Sequence, residues 1–550
     1  MIRPFLAILS VITLCGFKDP GTVKAPKLPA VVVPTFKKDT VSIVKFGAKP
    51  DGITLNTKSI NDAISATSKK GGGVVLVPRG LWLTGPIELK SNVNLHLQRD
   101  AFLNFTGDFT QYKLIETNWE GLRAVRNQSP ISATNAVNIA ITGHGIVDGS
   151  GDKWRMVKKD KLSASAWKKL TESGGVVSDD KRIWYPSQSS YEGSKIKNSF
   201  ALTPGKTVAD YEHIKDFMRP NLLVLTKCKN ILLDGVTFQN SAAWNLHPLM
   251  SENITIRNVL VKNPWYAQNG DGLDLESCKN VVVENSVLDV GDDALCIKSG
   301  RDAQGRERAM PTENVLIRNC IVYNAHGGFV VGSEMSGGAK NIIVENCSFI
   351  GTDIGIRFKT TRGRGGVVEN IFINNINMKD IPGEAILFDM YYEGKDPIAL
   401  AGERREPPKV DSKPVTEETP VFQNVYIKNV AVDGAEKGIF VRGLPEMNVK
   451  NIVMEDMVIQ AKHGLEMTEG SGITIRNTNI ITKETNPVLQ VHNSKNIVLD
   501  NIRYNAGAET LLAVYGDKTT GVKLLNTDGS KAKNKTLFDF GAKPTVLTEK

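Results

Sequence analysis

NGDGLDLESCKNVVVENSVLDVGDDALCIKS, residues 269–299, contains one repeat unit between two acidic turns. The unit NVVVEN alternates aliphatic and variable residues between two asparagines, and strict alternation is the period of a β-strand. Asp271 and Asp274 precede the unit, and Asp292 and Asp293 follow it. Asp292 follows Asp271 by 21 residues, which is near one coil of a repeating β-structure. The two acidic turns are therefore predicted to stack on each other.

The same unit recurs through the second half of the chain, mostly at intervals of 23 to 34 residues. Its first residues are Asn230, Asn253, Asn280, Asn314, Asn341, Asn370, Asn424, Asn451 and Asn496. An asparagine at a turn tolerates left-handed backbone and can hydrogen-bond along a stack. Short, evenly spaced strands without intervening helices indicate an all-β chain, a parallel β-helix. A propeller is disfavoured because the interval is too short for four strands.

Composition is that of ordinary globular protein, with 550 residues, 41% hydrophobic and 23% charged. A solenoid can reach this length as one domain because each coil packs only on its neighbours. The formal net charge of +9 fits either a solvated surface or an anionic partner such as an acidic polysaccharide. Nucleic acid is a weaker interpretation because no recognition motif accompanies the charge.

The N-terminal segment, residues 1–20, has Arg3 ahead of a short apolar run and is typical of a secretory signal. The run is too short to span a bilayer, so export without a stable membrane span is expected. Cys15 lies where a lipid anchor would attach, but Leu14 before it is bulkier than lipidation sites usually accept. The other five cysteines lie inside apolar repeats and are predicted to be small buried hydrophobes.

The remaining chain is divided by composition. A Pro/Lys linker at 21–40 leads into a β-helix at 41–530, and residues 531–550 are predicted to be a C-terminal tail. Near the start of the β-helix, Thr57 is predicted to cap a helix that covers the open first coil. Insertions at about 150–220 and 393–419 interrupt the repeat, and long loops on a rigid scaffold often build binding surfaces.

The acidic turns suit two kinds of chemistry. A bend at Gly291 would let the adjacent Asp292 and Asp293 face one cleft, with Asp271 about one strand spacing away. Crowded carboxylates raise at least one pKa, which places an acid beside bases, as hydrolysis of a glycosidic bond requires. A calcium site is the alternative, since clustered carboxylates also bind hard cations.

Basic residues in the following coils favour hydrolysis. His326, Arg357 and Lys359 fall at or beside coil turns, so successive coils are expected to present them next to the aspartates. A guanidinium there would bind a substrate carboxylate in planar, bidentate geometry. We therefore expect neither a metal nor another cofactor.

Four ordered motifs, NGDGLD, VGDDALCIKSG, HGGFVVGSE and GIRFKT, resemble the signature set of the polygalacturonase family, glycoside hydrolase family 28. The resemblance extends over about residues 41–510. It implies a right-handed parallel β-helix of the pectin-lyase type, and inverting hydrolysis of α-1,4-linked galacturonate in pectin. The expected partner is an anionic pectic polysaccharide or oligogalacturonide, and the expected state is a monomer.

The resemblance also implies roles for individual residues. Asp292 would be the general acid, Asp271 and Asp293 would hold and deprotonate water, and His326 would tune the acid. The implied substrate-binding residues are Arg357, Lys359, Tyr392 and Asn269, the last of which would also support Asp271.

Departures from the family pattern at Gly270, Ala325 and Phe358 loosen the substrate assignment, and rhamnogalacturonan stays an alternative. The segment SGRDAQGRER resembles exo-acting bacterial members, so exo action is favoured. A calcium-dependent pectate lyase and a non-catalytic polysaccharide-binding β-helix are the rival functions.

Overall fold

The computed structural model describes residues 25–198, 200–394 and 410–550. Within them, one continuous sheet of 37 strands winds into coils, and each strand pairs in parallel with strands of the neighbouring coils. The chain is a single-stranded right-handed parallel β-helix, and the predicted fold class is confirmed. Among the described residues, no helix combines the length and the apolar character needed to cross a membrane.

Each coil has three faces, which we call the first, second and third sheets. The asparagine repeats begin the strands of the first sheet. These strands are Thr40–Ser42, Gly73–Val77, Val93–Leu97, Val137–Gly143, Lys229–Asp234, Glu252–Arg257, Lys279–Glu284, Thr312–Arg318, Ala339–Ile350, Val367–Asp389, Val421–Arg442, Val449–Glu455, Gly470–Ser471, Thr474–Thr482, Val498–Tyr504, Val522–Leu525 and Leu547–Glu549.

Several of these strands continue into other faces. Ala339–Ile350, Thr474–Thr482 and Val498–Tyr504 run on into the second sheet, and Val367–Asp389 and Val421–Arg442 run through all three. The strands confined to the second sheet are Gly80–Thr84, Ala101–Phe105, Ile146–Asp148, Thr237–Gln239, Leu260–Lys262, Val287–Val290, Ile321–Asn324 and Val458–Ala461.

The third sheet bears the acidic turns. Its own strands are Ile87–Glu88, Ile131–Thr134, Leu223–Thr226, Leu246–Leu249, Leu273–Glu276, Asp293–Lys298, Gly327–Gly332, Ile356–Lys359, His463–Thr468, Leu489–His492, Ala508–Tyr515 and Ala532–Asp539. Strands outside the β-helix form an antiparallel hairpin, Leu114–Trp119 with Leu122–Asn127, and a small sheet of Val157–Lys158, Val176–Val177 and Ile183–Tyr185.

Helices are few. The α-helices are α1 (Thr57–Lys69), α2 (Ala164–Glu172), α3 (Gln188–Lys195) and α4 (Asp302–Arg308). The 3₁₀ turns are Ile43–Phe46, Phe109–Gln111, Gly151–Lys153, Lys159–Lys161, Val208–Phe217, Gly529–Lys531 and Pro544–Val546.

Side chains alternate between inward and outward positions along each strand, and the inward ones form the core. Val281 and Val283 point inward and are almost fully buried, while Val282 between them is partly exposed. Aromatic rings also stack from coil to coil, with the ring centroids of Phe358 and Phe388 4.5 Å apart. The five cysteines within the described residues are free and buried, as predicted.

Helix α1 packs its buried face, Ile60, Ala63 and Ile64, onto the first coils. The prediction that Thr57 caps this helix was wrong, because Asn56 occupies the N-cap position. Thr57 is the first helical residue, and its hydroxyl accepts a hydrogen bond of 2.6 Å from Gly85 N. The side chain of Asn56 instead bonds to the backbone of Lys49.

The boundaries differ from the sequence prediction at one end. Parallel pairing continues through Ala532–Asp539 and Leu547–Glu549, beyond the residue 530 proposed as the end of the β-helix. The signal segment 1–20 and the anchor candidate Cys15, together with most of the insertion at 393–419, lie outside the described residues.

The corner between the first and second sheets is short and regular. In the described ranges, no more than three residues separate the two faces there, whereas the long insertions leave from the two edges of the third sheet. The asparagines that begin the repeats lie at the opposite end of the first-sheet strands, next to the third sheet, where they adopt left-handed backbone and form a side-chain ladder. Asn314, for example, has φ 58°, donates to Asn280 Oδ1 at 3.0 Å and accepts from Asn341 Nδ2 at 3.3 Å.

The ladder leads to a stability prediction. We expect Asn314→Ala to lower the free energy of unfolding by about 2–4 kcal/mol, because alanine disfavours the left-handed backbone and makes neither ladder bond. Asn314→Gly loses the bonds but keeps the backbone freedom, so its loss is expected to be about half as large. Urea denaturation followed by circular dichroism measures both, and equal losses would contradict the role of the backbone angle.

Candidate active site

Two neighbouring strands of the third sheet position the acidic residues. Asp271 lies just before the strand Leu273–Glu276, and Asp293 is the first residue of the strand Asp293–Lys298. Asp292 lies in a bend with Gly291, which is why the two adjacent side chains reach one cleft. Gly291 is needed there for close approach, since a Cβ on it would lie 2.5 Å from Pro264 O.

Stacking of the two turns brings three carboxyl groups together. One oxygen from each of Asp271, Asp292 and Asp293 lies within 4.8 Å of the other two. Asp271 and Asp293 are buried, whereas 23% of the Asp292 side chain is exposed. Asp292 is therefore the member of the cluster that is open to a substrate.

The buried environment raises two of the pKa values. Burial, together with the nearby Asp292 carboxyl, raises the pKa of Asp271 well above its usual range. Burial and the Asp293 carboxylate likewise raise the pKa of Asp292. Asp271 and Asp292 repel each other when both are ionised, so the pair favours holding one proton.

Asp293 is in the opposite state because it is ion-paired. Lys359 Nζ donates to Asp293 Oδ2 at 2.7 Å, and Arg357 Nη1 donates to Oδ1 at 3.3 Å. Burial alone would raise the pKa of Asp293, but Lys359, Arg357 and Lys298 together lower it to about 2. The site thus combines an ionised carboxylate, Asp293, with a pair of carboxyls that favours holding one proton between them.

A second buried network lies behind the cluster. Lys298 Nζ donates to Glu334 Oε2 at 2.8 Å, approaches Asp274 Oδ1 at 3.7 Å, and stands 4.9 Å from the ring centroid of Trp244. Asp274 is fully buried, and neither carboxyl oxygen has a hydrogen-bond partner among the described residues. Burial raises the pKa of Asp274 well above its usual range, although Lys298 opposes the shift.

His326 lies at the rim of the site, with 53% of its side chain exposed. Its Nδ1 is 3.6 Å from Asp292 Oδ1, and its Nε2 is 3.6 Å from Asp353 Oδ2. These separations are longer than a direct hydrogen bond. The backbone N–H of His326 donates to Asp292 O at 3.1 Å, so the histidine is fixed beside the bend that bears Asp292.

The remaining predicted site residues surround the cluster. The ring centroid of Tyr392 is 4.8 Å from Lys359 Nζ and 5.6 Å from Arg357 Cζ. Asn269 has a left-handed φ of 52° and accepts a hydrogen bond of 2.8 Å from Arg219. Arg219 also donates to Gln268 O, so it holds the loop that bears Asp271.

The hairpin formed by Leu114–Trp119 and Leu122–Asn127, hereafter the 114–127 hairpin, faces the third sheet in the coils before the aspartates. Its tip reaches α4, where Arg301 N donates to Gly121 O and Arg123 N donates to Gln304 Oε1. Its other side packs on the 150–220 insertion, through a cluster that includes Val125 and Met218. Between the hairpin and the third sheet lies a cleft of about 880 Å³.

Sequence reasoning missed several of these groups. Lys298 and Glu334 lie inside the quoted motifs, and Lys298 follows the inward Leu295 and Ile297 at an outward position, so strand alternation could have identified it. Arg219 and the 114–127 hairpin carry no periodic signal, because they lie outside the coils.

The buried Asp274 generates a pH-dependent prediction. Because burial raises the pKa of Asp274, the folded chain binds its proton more tightly than the unfolded chain, and the free energy of unfolding falls as pH rises above about 4. Asp274→Asn cannot ionise, and we expect it to stabilise the fold by about 1–3 kcal/mol at pH 7 and by little near pH 3. Urea denaturation at a series of pH values measures the difference.

The matched control is Asp293→Asn, for which the sign is opposite. The depressed pKa of Asp293 means that its charge stabilises the fold above about pH 4, and this stabilisation is lost as pH falls toward about 2. Asp293→Asn should therefore destabilise at pH 7 and become neutral in acid. A lower stability of Asp274→Asn at pH 7 would contradict the interpretation.

Family models and known proteins give the following matches. Residues 209–429 match the model described as "Glycosyl hydrolases family 28", and residues 40–162 match "Rhamnogalacturonase A/epimerase, pectate lyase-like". A "Probable polygalacturonase" of Vitis vinifera is 32% identical over 350 residues, and an "Exo-poly-alpha-D-galacturonosidase" of Dickeya chrysanthemi is 30% identical over 382 residues. These alignments cover 62% and 68% of this chain. The chain spans only 61% and 60% of the length of those two relatives.

A solved structure agrees with these matches. The crystal structure of a hyperthermoactive exopolygalacturonase from Thermotoga maritima superposes with a TM-score of 0.63 at 30% identity. The superposition covers 86% of this chain and 94% of that one. Together with the family-model match and the stacked carboxylates, this places the chain in a known group: it belongs to the glycosyl hydrolases of family 28.

Proposed function

We propose that this chain is a glycoside hydrolase that cleaves α-1,4-galacturonosyl linkages of pectic polygalacturonate. The observation that carries the proposal is the buried contact of Lys359 and Arg357 with Asp293, beside the protonatable Asp271 and Asp292. It combines an acid, bases and cations that could bind a substrate carboxylate. The printed names of the relatives from Vitis vinifera and Dickeya chrysanthemi support the same substrate class.

In the proposed mechanism, Asp292 protonates the leaving oxygen. Burial and the Asp293 carboxylate raise its pKa and so favour the protonated form, and its partial exposure gives it access to the substrate. Asp271 and Asp293 hold and deprotonate the attacking water. Asp271 Oδ1 has no hydrogen-bond partner among the described residues, so it is able to accept one from that water.

The proposed stereochemistry is inversion, and it follows from the family and not from distance. Inverting enzymes usually keep their two carboxyl groups about 6.5–9.5 Å apart to leave room for water. Here the three groups lie within 4.8 Å of one another. The anomeric form of the first product therefore provides an independent test of this part of the mechanism.

Arg357, Lys359 and Tyr392 are proposed to bind the galacturonate next to the cleaved bond. Arg357 has spare capacity, because its buried Nε has no hydrogen-bond partner among the described residues. Tyr392 offers a ring face beside both cations. Asn269 contributes through the loop that Arg219 holds, and His326 contributes through its position beside Asp292, with Nδ1 3.6 Å from Asp292 Oδ1.

The calcium-dependent alternative is less consistent with this geometry. The ammonium of Lys359 lies 2.7 Å from Asp293 and already supplies the positive charge that a cation would bring. Hydrolysis of rhamnogalacturonan is the second candidate, and the match of residues 40–162 to the rhamnogalacturonase model favours it. Those residues precede the acidic turns, so the match bears on the first coils.

Exo action is proposed from the wall that the 114–127 hairpin and α4 build beside the cleft. The contact between Arg301 and Gly121 joins the two elements across several coils of the third sheet. A polymer that meets such a wall binds by its end. We also propose that the chain is exported and acts as a monomer.

The catalytic proposal predicts the effect of one substitution. We expect Asp292→Asn to lower kcat on polygalacturonate by about 100- to 10,000-fold with little change in KM, because the amide cannot donate the proton. Release of reducing ends, measured with chelator present, tests this. Proton NMR of the first product is expected to show the inverted anomer.

Products with a conjugated double bond, or loss of native activity with chelator, would instead indicate a lyase. Undiminished hydrolysis by Asp292→Asn would remove Asp292 from the acid role. Cleavage of rhamnogalacturonan but not of polygalacturonate would favour the second candidate.

Exo action has its own measurement. We expect the viscosity of a polygalacturonate solution to fall slowly relative to the release of reducing ends, because removal of terminal units leaves the polymer long. Chromatography of early digests should show short products of one size. A rapid fall of viscosity with mixed early products would indicate endo action.

A further inference from the structure

The cleft of about 880 Å³ lies on the third sheet, over coils that precede the one bearing Asp271. It is lined by residues of the 114–127 hairpin on one side and of the strands Ile131–Thr134, Leu223–Thr226 and Leu246–Leu249 on the other. These strands are the three coils before the one that bears Asp271. At about 4.8 Å per coil, the cleft occupies roughly the 5–14 Å before the aspartates.

Arg126 is an unusual residue in this cleft. Its side chain belongs to the hairpin, only 5% of the residue is exposed, and its Nε and Nη2 have no hydrogen-bond partner among the described residues. Its guanidinium lies 3.6 Å from the ring centroid of Trp119. This contact orients the guanidinium but does not neutralise its charge. A buried cation without an anion is costly, so it is normally found where a charged ligand binds.

Three asparagines in the same cleft also have unused hydrogen-bonding capacity. Asn118, Asn127 and Asn221 are at least nine-tenths buried, and the Oδ1 atom of each has no hydrogen-bond partner among the described residues. The amide nitrogen of Asn127 is used, since it donates to Lys215 O and Met218 O, and that of Asn221 contacts His247 Nδ1. The atoms left over are therefore acceptors beside one cationic donor.

The other two arginines of the cleft are already paired, and its lysines Lys113 and Lys227 are exposed. Arg123 contacts Glu116 at 2.5 Å and is two-thirds exposed, and Arg308 of α4 contacts the buried Glu276 at 2.6 Å. Arg126 thus differs from these neighbours in being both buried and without an ion pair within the described chain. The cleft therefore presents a buried, unpaired guanidinium beside several acceptors for hydroxyl donors.

We propose that this cleft is a second uronate subsite, in which Arg126 binds the carboxylate of a sugar unit and Asn118, Asn127 and Asn221 accept hydrogen bonds from its hydroxyls. The inference rests on the proposed function, and it adds residues that bind a sugar unit of the substrate away from the cleaved bond. Arg357 and Lys359 lie on coils after the aspartates, and Arg126 lies beside coils before them. Successive uronates of one chain would then be bound on both sides of the cleavage point.

The test compares Arg126→Gln with the native chain in two assays. Calorimetric titration with trigalacturonate should show binding weakened by about 30-fold or more, because the buried cation loses its carboxylate partner. In hydrolysis of the same trimer, kcat/KM should fall by a similar factor. Esterifying the substrate carboxyls with methyl groups should weaken binding to the native chain much more than binding to Arg126→Gln.

Controls separate a binding role from a structural one. Arg503→Gln removes the same charge from an exposed position on the second sheet and should change neither assay. Tm of Arg126→Gln should be unchanged or higher, because an unpaired buried charge has been removed. Arg126→Lys, which keeps the charge, should recover part of the affinity.

The outcomes distinguish the two proposals. A native chain that binds trigalacturonate through Arg126 but does not hydrolyse it would refute the proposed function and keep the subsite. Unchanged binding in Arg126→Gln, with hydrolysis intact, would overturn the subsite alone. A lower Tm with equal loss in Arg126→Lys and Arg126→Gln would assign Arg126 a structural role and would also overturn it.

Discussion

The spacing of hydrogen-bonded strands, about 4.8 Å, is the constraint on which this molecule depends. Leu273 pairs with Leu295 and Leu295 with Phe329, so each inward residue fixes the position of the outward residues beside it. Asp271 lies just before one of these strands and Asp293 begins the next, so the two must lie close together. The same registration places Lys359 one coil beyond Gly332 and brings its ammonium to Asp293. The site is a consequence of coil geometry, with one bend at Gly291 added to it.

Crowding four carboxyl groups in a buried face has an electrostatic cost that the protein offsets unevenly. Asp293 is compensated by Lys359 and Arg357, which lower its pKa to about 2. Asp274 is left without hydrogen bonds and relies on Lys298 at 3.7 Å. The buried Asp274 therefore lowers the free energy of unfolding, while the same crowding lets one carboxyl keep a proton beside an ionised neighbour. This combination is common at catalytic sites.

The coils could be predicted from the sequence because the alternating aliphatic residues and the turn asparagines recur at the same place in each coil. NVVVEN and its relatives predicted the fold class, and the intervals between motifs predicted that Asp271, Asp292 and Asp293 would meet. The roles assigned to these residues remain proposals. Elements outside the coils could not be read in this way. The 114–127 hairpin obeys no repeat, and Arg219 gains its importance from one contact with the loop of Asn269. Thr57 was misassigned as a cap because the helix begins one residue earlier than the local pattern indicates, and Asn56 holds the N-cap position while its side chain bonds to Lys49.

The corners of the coil differ in the length of chain that they accept. The corner between the first and second sheets is short and carries left-handed asparagines such as Asn285 and Asn319, which are hydrogen-bonded to each other. Both edges of the third sheet accept insertions in the described ranges. Segments can therefore lengthen or shorten on either side of the aspartates without shifting the register that aligns them. Such a chain can acquire a new substrate preference by exchanging its cleft walls and still keep the same reacting groups, so the two properties can evolve separately.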